Sequence, residues 1–354
     1  MRALVHIGEG RLVSRTLPAV EPTAAGAVLE VEGSSVCIAD SETLHGYGPV
    51  MATPLVLGHE IVGVVGDVGA DAPEHLKRLQ GTRVLIDDAR PCGVCAWCLR
   101  DQKRFCKEPR YGHIVLDDSS ENWGGYAEQV TLDSHSVLIP LPADLPIELA
   151  TFTFPVASGV EWLRLGADLK PGESVAVLGT SRMGAGAVLV ALHDQASRVV
   201  LYGDPRGRDA IRAVEQMGAE TRDFPVNPAE EGPFDVVVVV TEAPVEYFAA
   251  AVMMAGPLGR VITACTSMSP SQAPPEIIRR KGLTIKGGRG ASAASLEMAV
   301  EIVSRERDRL GGVMGEIYGF EDAPNVVKHL LSSGVARGAH VVIAGGTAKG
   351  TDHA

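Results

Sequence analysis

The stretch Ser174-Val175-Ala176-Val177-Leu178-Gly179-Thr180-Ser181-Arg182-Met183-Gly184-Ala185 decides how this chain folds. Residues 174–178 form a short apolar run of strand length. Gly179 permits a tight turn, and residues 185–193 then follow a helical pattern. Working outward, residues 198–202 read as a second strand, 209–217 as a helix, 235–240 as a strand, 245–254 as a helix and 260–264 as a strand. Strands alternating with helices at this spacing predict a parallel, doubly wound sheet. Upstream the texture differs. Short runs at 29–31, 61–65, 84–86 and 137–139 are separated by glycine and proline turns, with no strong helical period, so roughly the first 150 residues read as a β-rich domain. The change falls near Lys170-Pro171-Gly172.

A chain of 354 residues exceeds one compact core and implies two domains, since domains run roughly 100–200 residues. The apolar fraction of 45% supports sizeable cores, built from aliphatic residues because aromatics make up only 5%. A net charge of −12 argues against nucleic-acid or anionic-membrane partners, both of which need a basic face. The N-terminus meets Glu9 and Arg11 before any long apolar run, and no stretch approaches the ~20 apolar residues of a membrane helix. A cytoplasmic protein acting on a small-molecule substrate is expected.

Four of the six cysteines lie together: Cys92, Cys95, Cys98 and Cys106, spaced C-x2-C-x2-C-x7-C. In a cytosolic chain this density points to metal rather than disulfides. Four thiolates close a tetrahedron around Zn²⁺ and leave no open position, so the ion they hold is structural.

Other motifs accompany this lobe. Gly58-His59-Glu60 opens G-H-E-x2-G-x5-G-x2-A, closing on Gly63, Gly69 and Ala72; Gly81-Thr82-Arg83-Val84, Gly124-Gly125-Tyr126-Ala127-Glu128 and Lys170-Pro171-Gly172 follow in order. Together they resemble the zinc-containing medium-chain dehydrogenases, over nearly the whole chain. The resemblance implies an α/β protein: a GroES-like β-rich catalytic domain over 1–150, to which 305–354 return, and a Rossmann nucleotide-binding domain over 151–304. It also implies an active site in the cleft between them and a homodimer or homotetramer.

The resemblance further implies a catalytic zinc on Cys37 and His59, with Asp40 behind the histidine as its orienting carboxylate. A thiolate and an imidazole suit zinc, although a cysteine or a histidine alone is equally a core residue. The family's third protein ligand corresponds here to Phe154, which carries no donor. Glu60, adjoining His59, is the candidate replacement. The family's relay hydroxyl corresponds to Ala39, leaving Ser41, Glu42 or His45 as substitutes. With the metal in place, zinc acts as a Lewis acid on the substrate oxygen and hydride passes to nicotinamide.

Gly179-Thr180-Ser181-Arg182-Met183-Gly184 departs from a dinucleotide G-x-G-x-x-G at its middle position, Ser181. Its setting between strand and helix is nevertheless that of a pyrophosphate turn. Ser158 matches a family hydroxyl near the nicotinamide. Gly203 stands at the position that distinguishes the two nucleotides. A glycine there followed by Arg206 and Arg208 favours NADP, while Asp204 opposes it, so both NADP and NAD stay open. The expected function is zinc-dependent hydride transfer between NAD(P) and a small alcohol, polyol or sugar-like substrate, or the matching carbonyl. The alternative is an NADPH-dependent reductase of the same fold without catalytic zinc, acting on a carbonyl, imine or activated alkene. A non-enzymatic scaffold fits less well, because Cys37, His59, Glu60 and the glycine turn are all retained.

Overall fold

A computed structural model describes residues 1–45, 52–204, 207–240, 245–264, 272–311, 315–333 and 341–344. The chain divides into two compact units, one built on Met1–Thr151 with the segment returning from Gly315, the other on Phe152–Met314.

In the second unit the alternating region forms one parallel sheet. Its order is Glu220–Asp223, Arg198–Gly203, Ser174–Leu178, Phe234–Val239, Ala255–Thr263 and Thr284–Gly287. The chain therefore winds outward from Ser174–Leu178 first one way and then the other, and the order reverses beside that strand. Residues 175–178 and 236–239 are all buried, as continuous apolar strands covered on both faces must be. Tyr247, Ala251 and Met254 from the helix Val245–Met254 complete a core with Ala176, Leu178, Val200, Tyr202 and Val237.

Several elements differ from the sequence reading, and two of them bear on the sites. The helix after Gly179 runs Arg182–His193, three residues longer at its start, because the Ser181 hydroxyl accepts from the Gly184 amide and caps it. A helix not foreseen, Ile147–Val160, spans the join between the units and contains Pro155. Proline and β-branched residues weaken any helical signal in the sequence, and tertiary packing overrides them.

The first unit is built on the antiparallel pair Ala27–Ser35 and Glu60–Val68, extended by Arg83–Ile86 and Leu138–Pro140. Val341–Ala344 pairs with the far end of Ala27–Ser35, and Glu316–Gly319 lies beside it, so the C-terminal segment joins the N-terminal sheet. Alternate residues Ala27, Leu29 and Val31 face a core with Ile61, Val65, Val84 and Ile86. Gly63 keeps that pairing close, since a Cβ there would lie 2.2 Å from the Glu30 carbonyl oxygen; just past the pair, a Cβ on Gly69 would lie 2.1 Å from the Thr23 oxygen. Among the described residues, no helix is long and apolar enough to cross a membrane.

Candidate metal and nucleotide sites

The strand register creates the first site. Ser35 pairs with Glu60 at the end of the two central strands. The turn leaving one strand, which carries Cys37, and the turn entering the other, which carries His59, therefore meet at the same edge. Ligand atoms of Cys37, His59 and Glu60 lie within 4.8 Å of one another, and all three residues are buried. The Ser35 hydroxyl donates to Glu60 Oε2 across the pair.

Behind this trio Asp40 is fully enclosed. Its carboxylate accepts from His59 Nδ1 at 3.3 Å, the Tyr126 hydroxyl at 2.6 Å, the Cys37 amide at 3.1 Å and the Gly58 amide at 3.4 Å. A carboxylate only accepts, so His59 carries a proton on Nδ1, and Nε2 is the nitrogen left for a metal. Gly58 has a φ of +87°, and a Cβ there would strike the Tyr126 ring at 2.6 Å. The amides of Gly125 and Tyr126 donate to the carbonyls of Gly58 and Leu57. Two sequence motifs thus lock into one turn.

The electrostatics favour a cation. Burial pushes the Asp40 carboxyl up, but His59 and the bonds from His59, Tyr126 and the Cys37 amide outweigh it and hold it below the ordinary carboxylate range. Burial works against a charged His59, yet Asp40 and Cys37 beside it raise its pKa well above the ordinary value. Surroundings negative enough to draw a proton to His59 are equally suited to a metal cation. Thiolate, imidazole and carboxylate together form a zinc donor set.

The cysteine lobe forms a second cluster. The Sγ atoms of Cys92, Cys95, Cys98 and Cys106 all lie within 4.8 Å of one another, with Cys92–Cys98 and Cys95–Cys106 each at 3.9 Å. A tetrahedron with Zn–S bonds of about 2.3 Å has edges of ~3.8 Å. Backbone amides of Cys92, Cys95 and Cys98 point at Sγ atoms of Cys106, Cys92 and Cys95. Burial pushes the Cys106 thiol up, but amides of Cys92 and Glu108 bring it to about 7. Cys98 is pushed up to about 12, by burial and then by its thiol neighbours. Four thiolates together thus call for a central cation, which this geometry fits.

The third candidate lies where the parallel sheet reverses its order. Gly179, at φ +135°, donates to the Tyr202 carbonyl, and Gly184 lies so close that a Cβ there would be 2.4 Å from the Gly179 oxygen. Ser181 caps the helix, Arg182 is buried and Met183 half-buried at its first turn. Ser158 is buried in Ile147–Val160. Gly203 ends its strand buried; Asp204 is half-buried, and Arg208 is exposed at the start of Arg208–Met217. Gly184→Val, clashing with backbone, is expected to weaken NAD(P) binding by about tenfold or more and to leave zinc content unchanged. Nucleotide titration and metal analysis of the one variant check this, and unaltered affinity for both nucleotides overturns it.

The structure thus brings Cys37, Asp40, His59 and Glu60 together, gathers the four lobe cysteines, and sets Gly179, Ser181, Arg182, Met183 and Gly184 on one turn. Phe154 is buried and donor-free, and Ala39 lies on the helix Ile38–His45. The side chains of Ser41, Glu42 and His45, and all of Arg206, lie outside the described residues. Sequence reading missed Ser35, Tyr126 and His113, whose ring centroid is 5.9 Å from that of His59. Tyr126 was legible only as the variable position of its glycine motif, and Ser35 only once the register was known.

Residues 24–143 match the family model described as alcohol dehydrogenase GroES-like domain. A probable alcohol dehydrogenase of Mycobacterium tuberculosis is 32% identical over 321 residues, covering 86% of this chain and 87% of its own. An erythritol/L-threitol dehydrogenase of Mycolicibacterium smegmatis is 24% identical, covering 89% and 83%. The crystal structure of an alcohol dehydrogenase from Thermotoga maritima superposes with a TM-score of 0.85 at 18% identity, over 98% of this chain and 99% of that one.

Proposed function

Because the chain belongs to the zinc-containing medium-chain alcohol/polyol dehydrogenase family, we propose that it oxidises a small alcohol or polyol, or reduces the matching carbonyl, with NAD(P). The observation that carries this reading is the buried Cys37, His59 and Glu60 cluster, braced by Asp40. We assign Cys37, His59 and Glu60 as the catalytic zinc ligands and Cys92, Cys95, Cys98 and Cys106 as the structural ones. The unit around Met1–Thr151, with the segment returning from Gly315, is the catalytic domain, and the unit on Phe152–Met314 is the nucleotide-binding domain. Ser158, the turn 179–184, Gly203, Asp204 and Arg208 hold the nucleotide.

When bound, zinc supplies Lewis acidity at the substrate oxygen, and the nicotinamide supplies the hydride acceptor. The protein's own part is orientation. Asp40 fixes the tautomer and tilt of His59, Tyr126 fixes Asp40, and Ser35 fixes the Glu60 carboxylate. Tyr126→Phe removes one of the four bonds that hold Asp40 without removing a ligand. A loss of about 10- to 100-fold in zinc affinity or turnover is expected, read by competition with a chelator and by kcat. A variant indistinguishable from the parent in both would show that Tyr126 is packing alone.

Phe154 and Ala39 support a second reading, an NADPH-dependent reductase of the same fold that lacks catalytic zinc and acts on a carbonyl, imine or activated alkene. Metal analysis separates the two: two zinc ions per chain, one for each cluster, against one. Four cysteines at metal-ligand spacing suit a reducing, cytoplasmic setting. Assembly as a homodimer or homotetramer is part of the same proposal.

A further inference from the structure

We infer that Thr180 sets this chain's choice of nucleotide, by keeping any acidic side chain out of position 203 and so favouring NADP over NAD. The inference rests on the nucleotide-binding reading above. In doubly wound sheets an acidic residue at the end of the second strand binds the ribose hydroxyls of NAD, and its charge opposes the extra phosphate of NADP. Here that strand is Arg198–Gly203, and its last residue is a glycine.

A glycine at this point suggests open room for a phosphate, but the geometry gives another reason for it. A Cβ on Gly203 would lie 2.1 Å from Thr180 Cγ2, 2.9 Å from Thr180 Cβ and 3.0 Å from the Thr180 nitrogen. Rotation about χ1 exchanges the threonine's methyl and hydroxyl but leaves its Cβ and nitrogen in place. The side chain is also held. Thr180 is buried, and its hydroxyl donates to the Asp204 carbonyl at 3.3 Å, which accepts the Gly207 amide at 2.9 Å as well. On the other side, a Cβ on Gly207 would lie 2.6 Å from both Thr180 Cβ and Oγ1. Thr180 therefore fills a socket walled by two glycines, and a side chain at 203 cannot coexist with it. With no carboxylate at 203, that position neither binds the ribose hydroxyls nor repels a 2′-phosphate; the carboxylate of Asp204 stands one residue on, half-buried, at the residue whose carbonyl Thr180 and the Gly207 amide hold. Arg208, exposed at the start of the next helix, adds a cation a few residues on.

The test is fluorescence titration of purified full-length protein with NADPH and NADH, with the thermal midpoint of each variant. The parent is expected to favour NADPH by about tenfold or more. Gly203→Asp and Gly203→Ala should each weaken both nucleotides by a similar factor and lower the midpoint, because the fault is steric. Thr180→Gly should keep the preference for NADPH. Thr180→Gly combined with Gly203→Asp should recover binding and favour NADH, since of the three atoms nearest to a Cβ at 203 only the backbone nitrogen, at 3.0 Å, is left, and it needs to yield only a few tenths of an ångström. If Gly203→Asp alone is too unstable to purify, the parent and the double variant still decide. A parent that prefers NADH overturns the inference while leaving the dehydrogenase reading intact. So does a Gly203→Asp protein that binds NADH as tightly as the parent binds NADPH, or a double variant no better than Gly203→Asp. A parent that binds neither nucleotide rejects the dehydrogenase reading, and this inference with it.

Discussion

Cys37→Ser is expected to lower turnover by about a thousandfold and to remove one zinc ion per chain. Lewis-acid stabilisation supplies several kcal/mol at the reacting oxygen, and each 1.4 kcal/mol or so is worth about tenfold in rate. Glu60→Gln keeps the size of the side chain and its place opposite Ser35 but removes a charged donor. If Glu60 completes the ligand set that Phe154 cannot, this variant loses zinc and turnover together. Asp40→Asn acts one step back: zinc content falls less and turnover suffers, because an amide cannot reproduce the carboxylate's grip on His59 Nδ1. Metal content and kcat on the three variants decide the matter. If all three retain the parent's zinc, the Cys37 cluster holds no ion and the metal-free reductase reading prevails.

Cys98→Ser should have the largest effect on stability. Cys98 is the most buried of the four lobe cysteines, and the other three cannot close a tetrahedron. Structural zinc contributes about 10 kcal/mol or more to small domains that depend on it. Even about 4 kcal/mol of that lowers the melting temperature by roughly 10 °C in a unit of this size. The lobe lies apart in sequence from the Cys37 cluster, so the zinc lost should be the structural one, and activity measured well below the melting point should decline less than stability. Retention of both zinc and melting temperature would sink the assignment.

Much of this molecule was legible in the chain itself, for identifiable reasons. The parallel sheet followed from apolar runs of strand length alternating with helical periods, a local pattern that needs no partner to be recognised. The cysteine lobe was legible because its four ligands lie within one short segment, so spacing alone implied geometry. The helix Ile147–Val160 was not legible, because Pro155 and β-branched residues argue against a helix locally and only packing reverses that.

The metal site was half legible. Cys37, Asp40, His59 and Glu60 stood in recognisable motifs, but only the pairing of Ser35 with Glu60 brings the two turns to one edge. That register is a long-range fact, decided by which faces of two strands are buried. The same holds for Tyr126, which reaches Asp40 across 86 positions of sequence. Gly203 shows the limit most clearly. The residue can be read from the chain, but the reason for it lies in Thr180, and only the tertiary structure sets those two side by side.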